Sequence, residues 1–256
     1  MPVENIYRSE VAMAGGLTQD QIRQYGKDGY LIVEDLLTAS EVETFLAEEA
    51  KEKPQAWKEL ALRRYTVDPQ WQLLATHPKI SGMVSQLMQG PPSIVQTMYM
   101  NKSPEGGTGV ALHQDTHYIR NEPNTLMACW LALSDTDKEN GGLCVVPGSH
   151  KRPLYETGAP KDDSEHAAWE KVYQMRGPDG QSWDEPMTSH EIRGLDSSEI
   201  VYLSVPKGGG VFFTSMTIHG SFANRSGTRP RLAFATHYVK DGTWVYRADI
   251  QETVPV

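Results

Sequence analysis

Residues 110–118, with the sequence VALHQDTHY, carry side chains that can bind a metal at close spacing. His113 and Asp115 are separated by one residue. If this segment is a β-strand, both side chains point to the same face, so an imidazole nitrogen and a carboxylate oxygen converge on one point. His117 has the same parity and competes for a place in this site.

A third ligand is needed to hold a metal ion, and residues 217–226, with the sequence TIHGSFANRS, supply another imidazole. We predict that His219, not His117, is this ligand, because a histidine distant in sequence lets a different strand close the site without crowding the first. Two imidazoles and one carboxylate on one face, with open positions opposite, are the ligand set of non-haem Fe(II) sites.

Two arginines, Arg229 and Arg231, follow His219, and the apolar run of residues 232–235 behind them predicts a buried strand. A buried guanidinium needs an anionic partner, because an unpaired buried charge is very costly. A dicarboxylate cosubstrate would supply that partner in bidentate form, and Ser221, with the parity of His219, would add a hydroxyl donor. The alternative for either arginine is a salt bridge to a surface carboxylate.

Composition restricts the class of protein. The 256 residues fit one domain, and 24 Lys and Arg against 33 Asp and Glu give a net charge of −9, which disfavours nucleic acid and anionic membranes as partners. The longest apolar run, residues 126–133, is too short to cross a bilayer, and the N-terminus shows no signal peptide. We expect a cytoplasmic protein with a small-molecule substrate, in which Cys129 and Cys144 are buried free thiols.

The first third of the chain contains several helix-capping patterns. The rest consists of short β-rich runs separated by Gly, Pro and Asn. This sequence pattern predicts a mainly β fold with flanking helices, whose core is a double-stranded β-helix, or cupin-like jelly roll. We expect a flexible tail over residues 1–16 and one domain over 17–256. That domain has helical support over 17–92 and a jelly-roll core over 93–256, in which the polar insertion 151–196 is either a lid or a flexible surface loop.

Several short motifs occur in an order that resembles a known family. They are HQD at 113–115, ENGGL at 139–143, VPGSH at 146–150, IHGS at 218–221 and NRS at 224–226, and Arg231 follows them. This ordered set resembles the phytanoyl-CoA dioxygenase family of Fe(II)- and 2-oxoglutarate-dependent oxygenases, and the resemblance extends over about residues 17–239.

The resemblance implies a site with Fe(II), 2-oxoglutarate as cosubstrate and O2. The iron ligands would be His113, Asp115 and His219. The residues that would bind or surround 2-oxoglutarate are Gln96, Met98, Trp130, Ser221 and Arg231. Arg229 remains an alternative anchor, because the spacing to Arg231 is one residue longer than the family pattern, and Arg63 or Arg64 would correspond to a further basic residue of some members.

The family reaction implied is hydroxylation of a small or medium-sized metabolite at an unactivated C–H, with release of succinate and CO2. Desaturation, demethylation and epoxidation use the same site and stay open, whereas Asp115 disfavours halogenation, for which relatives carry a small residue at this position. A non-catalytic 2-oxoglutarate- or metal-binding protein and a cupin-like metal isomerase are the alternatives from other classes. Arginines near the pocket would suit an acidic or phosphorylated substrate.

Overall fold

The structure is a computed structural model that describes residues 16–51, 62–158, 165, 166 and 168–256. The tail expected over residues 1–16 therefore lies outside the described residues except for its last position. Within the described ranges, no helix is both long and apolar enough to cross a membrane.

The described residues before Pro92 contain four α-helices: α1 Gln19–Asp28, α2 Ala39–Glu49, α3 Pro69–Ala75 and α4 Pro78–Met88. Thr18 and Thr38 begin the first two with capping boxes, in which the threonine hydroxyl accepts from the backbone N–H three residues on and a Gln or Glu side chain reaches back. These two threonines are therefore the N-cap residues of α1 and α2. Single turns of 3-10 helix occur at Arg64–Thr66, Asp115–His117, Ser149–Lys151 and Ser197–Glu199.

The strands of the described residues pair antiparallel in five sheets, two of which enclose the site. Their bounds are β1 Tyr30–Val33, β2 Pro92–Lys102, β3 Val110–His113, β4 Asn121–Glu122, β5 Met127–Ala132, β6 Leu143–Val145, β7 Thr157–Gly158, β8 Glu170–Arg176, β9 Ser182–Thr188, β10 Glu191–Ile192, β11 Val201–Tyr202, β12 Gly210–Thr214, β13 His219–Ser221, β14 Arg231–Lys240, β15 Trp244–Val245 and β16 Val254–Pro255. The large sheet has the order β1-β12-β5-β14-β2-β16, and the small sheet has the order β11-β6-β13-β3. The mainly β architecture predicted from the sequence is confirmed.

Strand β14 of the large sheet has one face toward the helices and the other toward the small sheet. Phe234 and Tyr238 on one face are fully buried in the core that the helices form with the large sheet, where Phe45 and Trp71 pack edge-on against Phe234. The alternate residues point between the two sheets, because side chains alternate along a strand. Arg231 is one of them, so the same strand closes the helical core and contributes to the interior of the double sheet.

The prediction of one continuous strand over residues 110–118 was wrong beyond His113. The strand ends there, and Asp115–His117 forms a 3-10 turn. At this position Gln114 is fully buried. Its side chain donates to Met216 O at 2.7 Å and accepts from Tyr155 N at 3.0 Å, which connects the end of β3 to two loops that are distant in sequence.

The insertion 151–196 contains more regular structure than its weak periodicity indicates. Strands β8 and β9 form a seven-residue antiparallel hairpin, and β7 pairs with β10. Only one side of the hairpin is covered, through Met175 and Met187, which pack against Tyr246. A two-stranded ribbon with one covered side gives a weaker sequence signal than a core strand.

Candidate active site

Strand pairing brings two histidines next to each other. In the small sheet β13 lies antiparallel to β3, and His219 is directly opposite His113, with the ring centroids 4.3 Å apart. The close approach depends on Gly220, because a Cβ at this position would lie 2.7 Å from the carbonyl oxygen of Val110. The register of the β13–β3 pair also shifts between His219 and Ser221, which marks a β-bulge. The side chains of His219 and Ser221 both line the cavity between the sheets.

Asp115 completes the group from the 3-10 turn. Its Oδ1 lies 3.4 Å from Nε2 of His113 and 3.6 Å from Nε2 of His219. One ligand atom from each of the three residues lies within 4.8 Å of the others. The structure thus brings the three predicted ligands together, whereas His117 points away, with its ring 5.4 Å from that of His190.

The hydrogen bonds of the two imidazoles fix which nitrogen faces the centre. Nδ1 of His113 donates to Ala111 O at 2.8 Å, and Nδ1 of His219 donates to Thr217 O at 2.9 Å. With the proton on Nδ1, each Nε2 presents a lone pair. Two such lone pairs and a carboxylate oxygen therefore converge with no hydrogen between them, which is an arrangement that a bound cation stabilises.

The electrostatics of the group agree with a cation site. Burial lowers the pKa of His219 to about 4, against an opposing effect of Asp115, so the ring is neutral near pH 7. Burial raises the pKa of Asp115, but the neighbouring His219 and His237 together with hydrogen bonds outweigh it and hold the pKa well below its usual range. The site thus combines neutral imidazole with an ionised carboxylate, the protonation states in which these groups bind metals.

His237 is a site residue that the sequence reasoning missed. Its Nε2 lies 3.2 Å from Oδ2 of Asp115, and its Nδ1 is 3.4 Å from Nε2 of Gln96. Because Nε2 donates to the Asp115 carboxylate, Nδ1 is free to accept from the Gln96 amide. Both hydrogen bonds are therefore satisfied by the tautomer of His237 with its proton on Nε2. His237 therefore orients Asp115 through the oxygen that faces away from the two histidines.

Arg231 lies in the same cavity and is only 2% exposed. Among the described residues, its Nε and Nη1 have no hydrogen-bond partner, and its guanidinium carbon is 5.9 Å from the centre of the Trp130 ring. Burial lowers the pKa of Arg231 to about 10, so the group is still cationic near pH 7. A buried cation with unused donors is the feature expected of an anion-binding site.

Arg229, the alternative anchor, is placed differently. Its guanidinium donates to Asp137 at 2.8 and 3.1 Å and to Glu139 at 3.1 Å, and its side chain is 40% exposed. This is the surface ion pair that the sequence left open for either arginine.

The two upstream arginines do not line the cavity. Arg63 donates to the carbonyl oxygen of Glu252 at 2.6 Å. Arg64 is buried in an ion-paired group with Glu49 at 3.0 Å and Asp68 at 2.7 Å. Their contacts with the C-terminal segment and the helices are structural.

Lys102 is a second buried cation that the sequence reasoning missed. It pairs across strands β2 and β14 with Arg231 and is 5% exposed. Its ammonium donates to Ser221 Oγ at 2.8 Å, Phe222 O at 2.6 Å and Gly141 O at 3.3 Å. Burial and then the neighbouring Arg231 lower the pKa of Lys102 to about 7.

Ser221 joins this cation to the cavity. Its Oγ accepts from Lys102 and also from Val110 N at 3.3 Å, so both lone pairs are in use and the hydroxyl hydrogen is left to donate elsewhere. The cavity has a volume of about 450 Å³ and is lined by all eight predicted site residues: Gln96, Met98, His113, Asp115, Trp130, His219, Ser221 and Arg231.

The two cysteines, Cys129 and Cys144, are buried free thiols as expected.

Comparison with known sequences gives a consistent result. The model of the phytanoyl-CoA dioxygenase family matches residues 25–233. Phytanoyl-CoA dioxygenase of Arabidopsis thaliana is 29% identical over 199 residues, which are 75% of this chain and 62% of that protein. The peroxisomal phytanoyl-CoA dioxygenase of Rattus norvegicus is 29% identical over 255 residues, which are 87% of this chain and 68% of that protein. The chain thus spans about two thirds of the length of these relatives.

Solved structures with the same fold include the epimerase SnoN in complex with Fe3+, alpha ketoglutarate and nogalamycin RO. The TM-score is 0.67 at 23% identity, with 90% of this chain and 86% of SnoN covered. The alpha ketoglutarate-dependent carbocyclase SnoK gives a TM-score of 0.64 at 23% identity, with 92% and 88% covered. These similarities establish the double-sheet fold that the strand order shows.

Proposed function

The chain belongs to the phytanoyl-CoA dioxygenase family, and on that premise we propose that it is an Fe(II)- and 2-oxoglutarate-dependent dioxygenase. Its reaction would be hydroxylation of a small or medium-sized metabolite at an unactivated C–H. The observation that carries the proposal is Arg231, a buried cation with unused donors in the same cavity as the His113, Asp115 and His219 group. A metal site alone would not require it.

In this proposal the three converging side chains hold the iron. His113 and His219 offer Nε2, and Asp115 offers Oδ1, while His237 keeps the carboxylate oriented through Oδ2. Bound Fe(II) and 2-oxoglutarate would supply the oxidising chemistry, in which R–H, 2-oxoglutarate and O2 give R–OH, succinate and CO2. The structure of SnoN, which contains Fe3+ and alpha ketoglutarate in the same fold, supports this choice of metal and cosubstrate.

The other predicted residues would bind and orient 2-oxoglutarate. Arg231 would pair with the distal carboxylate, and Ser221 would donate its free hydroxyl hydrogen to the same group. Trp130 would pack against the cosubstrate beside Arg231. Gln96 and Met98, on the neighbouring strand β2, would line the space next to the metal. A dry, preorganised site strengthens each of these polar contacts.

The test is the visible metal-to-ligand charge-transfer band that forms when 2-oxoglutarate binds to the Fe(II)-loaded protein without oxygen. We expect a band in the wild type, a loss of iron binding and band in Asp115→Ala, and a much weaker band at equal 2-oxoglutarate in Arg231→Ala. Arg229→Ala is the matched control, because it removes an arginine two positions away that pairs at the surface, and it should keep the band.

Two outcomes would decide against the proposal. A wild-type protein that binds iron but gives no band would favour a metal isomerase, which has no use for Arg231. A protein that gives the band but releases no succinate when oxygen is admitted would favour a non-catalytic 2-oxoglutarate- and metal-binding role. Once the band is established, mass spectrometry of products distinguishes hydroxylation, which adds one oxygen atom, from desaturation and demethylation. Epoxidation of an alkene gives the same mass change, so the NMR spectrum of the product is needed to distinguish an alcohol from an epoxide.

A further inference from the structure

The cavity continues beyond the proposed iron and 2-oxoglutarate sites. This outer part is lined mainly by apolar and aromatic side chains: Leu62, Tyr118, Ile119, Trp169, Tyr173 and Ser189. Two of the aromatic residues come from the insertion 151–196 and one from the turn after Asp115. The space left for a substrate is therefore a pocket whose described walls are rich in rings and poor in polar groups.

The charge in this outer part is already neutralised. Arg247 is the one arginine or lysine that lines it among the described residues, and it is 4% exposed. Its Nε and Nη2 donate to the two carboxylate oxygens of Asp249 at 3.1 and 2.7 Å. The guanidinium also lies 3.9 Å from the centre of the Tyr173 ring, and Nη1 is 3.5 Å from Tyr118 O. No free cation is left on the described walls of this part to pair with a substrate anion.

Trp169 combines a fixed backbone with an exposed ring. Its backbone is fixed by two hydrogen bonds with Ser189, one of 3.1 Å to the hydroxyl and one of 2.9 Å from the N–H. Its side chain is nevertheless 41% exposed, although it lines the cavity. A large aromatic ring held in place and left open to solvent is suited to stacking against a ligand.

A row of rings leads from Trp169 to the metal group. The Trp169 ring lies 5.4 Å from Tyr118, and Tyr118 lies 5.4 Å from His113. Tyr118 is itself immobilised, because its hydroxyl accepts from His190 N at 3.1 Å and its ring stacks on His190 at an angle of 13°. The rings of Trp169 and Tyr118 therefore form a continuous aromatic surface that ends at His113.

We propose that the primary substrate is an uncharged molecule with a planar ring that stacks on Trp169. This inference rests on the proposed function, since it assigns the outer cavity to the substrate of that reaction. It replaces the expectation of an acidic or phosphorylated substrate, because the arginine of this part is paired with Asp249. A buried anion without a partner would lose its hydration and gain nothing in exchange.

The experiment compares two fluorescent probes that differ by one charge. N-phenyl-1-naphthylamine is neutral, and 8-anilino-1-naphthalenesulfonate has the same ring skeleton with a sulfonate added. Each is titrated into wild-type protein loaded with Zn(II), which has no redox activity, and with excess 2-oxoglutarate, which keeps the anionic probe from Arg231. We expect the neutral probe to bind at least about tenfold more tightly. Equal affinity, or tighter binding of the sulfonate, would overturn the proposal.

Three variants locate the binding. Trp169→Ala should weaken the neutral probe about fivefold, the range expected for one aromatic contact, and Trp169→Phe should restore much of the loss. Val172→Ala, on the exposed side of the same hairpin and 57% exposed, is the control and should have no effect. Unchanged binding in Trp169→Ala would also count against the proposal.

Asp249→Asn is a variant in which the affinity for one probe should increase. It removes the charge that neutralises Arg247, so the sulfonate probe should bind more tightly while the neutral probe is unaffected. If the sulfonate gains nothing, Arg247 does not govern charge selection in this cavity, and the proposal fails. Failure of the proposed function is read separately from the charge-transfer band, which depends on Arg231 and not on Trp169 or Asp249.

Discussion

Among single residues, Lys102 offers a test of cosubstrate binding that depends on pH. Its pKa is lowered to about 7 by burial and by Arg231, so the ammonium is charged below this value and loses its proton above it. A dianionic ligand beside Arg231 is bound more tightly when Lys102 is charged. We therefore expect the affinity for 2-oxoglutarate to decrease, roughly fivefold, as the pH rises from about 6 to about 8.5.

Calorimetric titration of the metal-loaded protein measures this effect, and Lys102→Met is the informative variant. It keeps an unbranched side chain that is one atom shorter and removes the charge, so its affinity should be lower at acidic pH and should vary less with pH. Lys207→Met, a surface lysine that pairs with Glu43 at 3.2 Å, is the control. A pH dependence in Lys102→Met equal to that of the wild type would assign the effect to another group.

Residue types and parity selected five of the residues that the structure brings into one cavity, and the same parity argument contained one more residue. The five are His113, Asp115, His219, Ser221 and Arg231. Arg231, Ala235 and His237 share one parity on β14 and all line the cavity. His237 was therefore accessible to the same reasoning that selected Arg231. Lys102 was not, because its role depends on the register that pairs it with Arg231 across β2 and β14, and register between distant segments is set by tertiary packing.

At the level of elements, the site depends on how closely β13 approaches β3. A Cβ at Gly220 would lie 2.7 Å from Val110 O, so Gly220→Ala must push the two strands apart and separate His219 from His113. We expect a loss of about 1–3 kcal/mol in the free energy of unfolding and a weaker affinity for divalent metal. Thermal unfolding and metal titration measure the two effects.

Gly82→Ala is the matched control for this change. Gly82 lies within α4, and an added Cβ meets no atom of the described residues within 4 Å. Alanine is the better helix former, so this variant should gain about 0.5–1 kcal/mol and bind metal normally. If Gly220→Ala kept the metal affinity of the wild type, the close strand approach would not be what positions the two histidines.

The elements that the sequence predicted well are those whose signals are local. The capping boxes at Thr18 and Thr38 fix helix starts within a few residues. The end of the strand in segment 110–118 was harder to predict. It lies where the buried Gln114 forms hydrogen bonds with Met216 and Tyr155, which are distant in sequence. The hairpin of β8 and β9 was missed for the same kind of reason, since its one covered side packs on Tyr246.

For the whole molecule, the interior between the two sheets contains groups that a dry core does not favour. Asp115, Lys102 and Arg231 are buried there, and each carries a charge whose burial is costly without a partner. The double sheet therefore maintains a site that is electrostatically incomplete in the protein alone. Its stability should rise when a divalent cation and a dicarboxylate enter together.

This expectation can be measured as a change in melting temperature. A ligand that binds only the folded state at a hundredfold excess over its Kd adds about 2.7 kcal/mol, which corresponds to about 5–10 °C for a domain of this size. We expect one increment from the metal and a second from 2-oxoglutarate that requires the metal. Arg231→Ala should keep the first and lose the second, Asp115→Ala should lose both, and Arg229→Ala should keep both. Equal stabilisation by 2-oxoglutarate in Arg231→Ala and wild type would mean that the dicarboxylate binds outside the double sheet, since no other described arginine in the cavity is free to hold it.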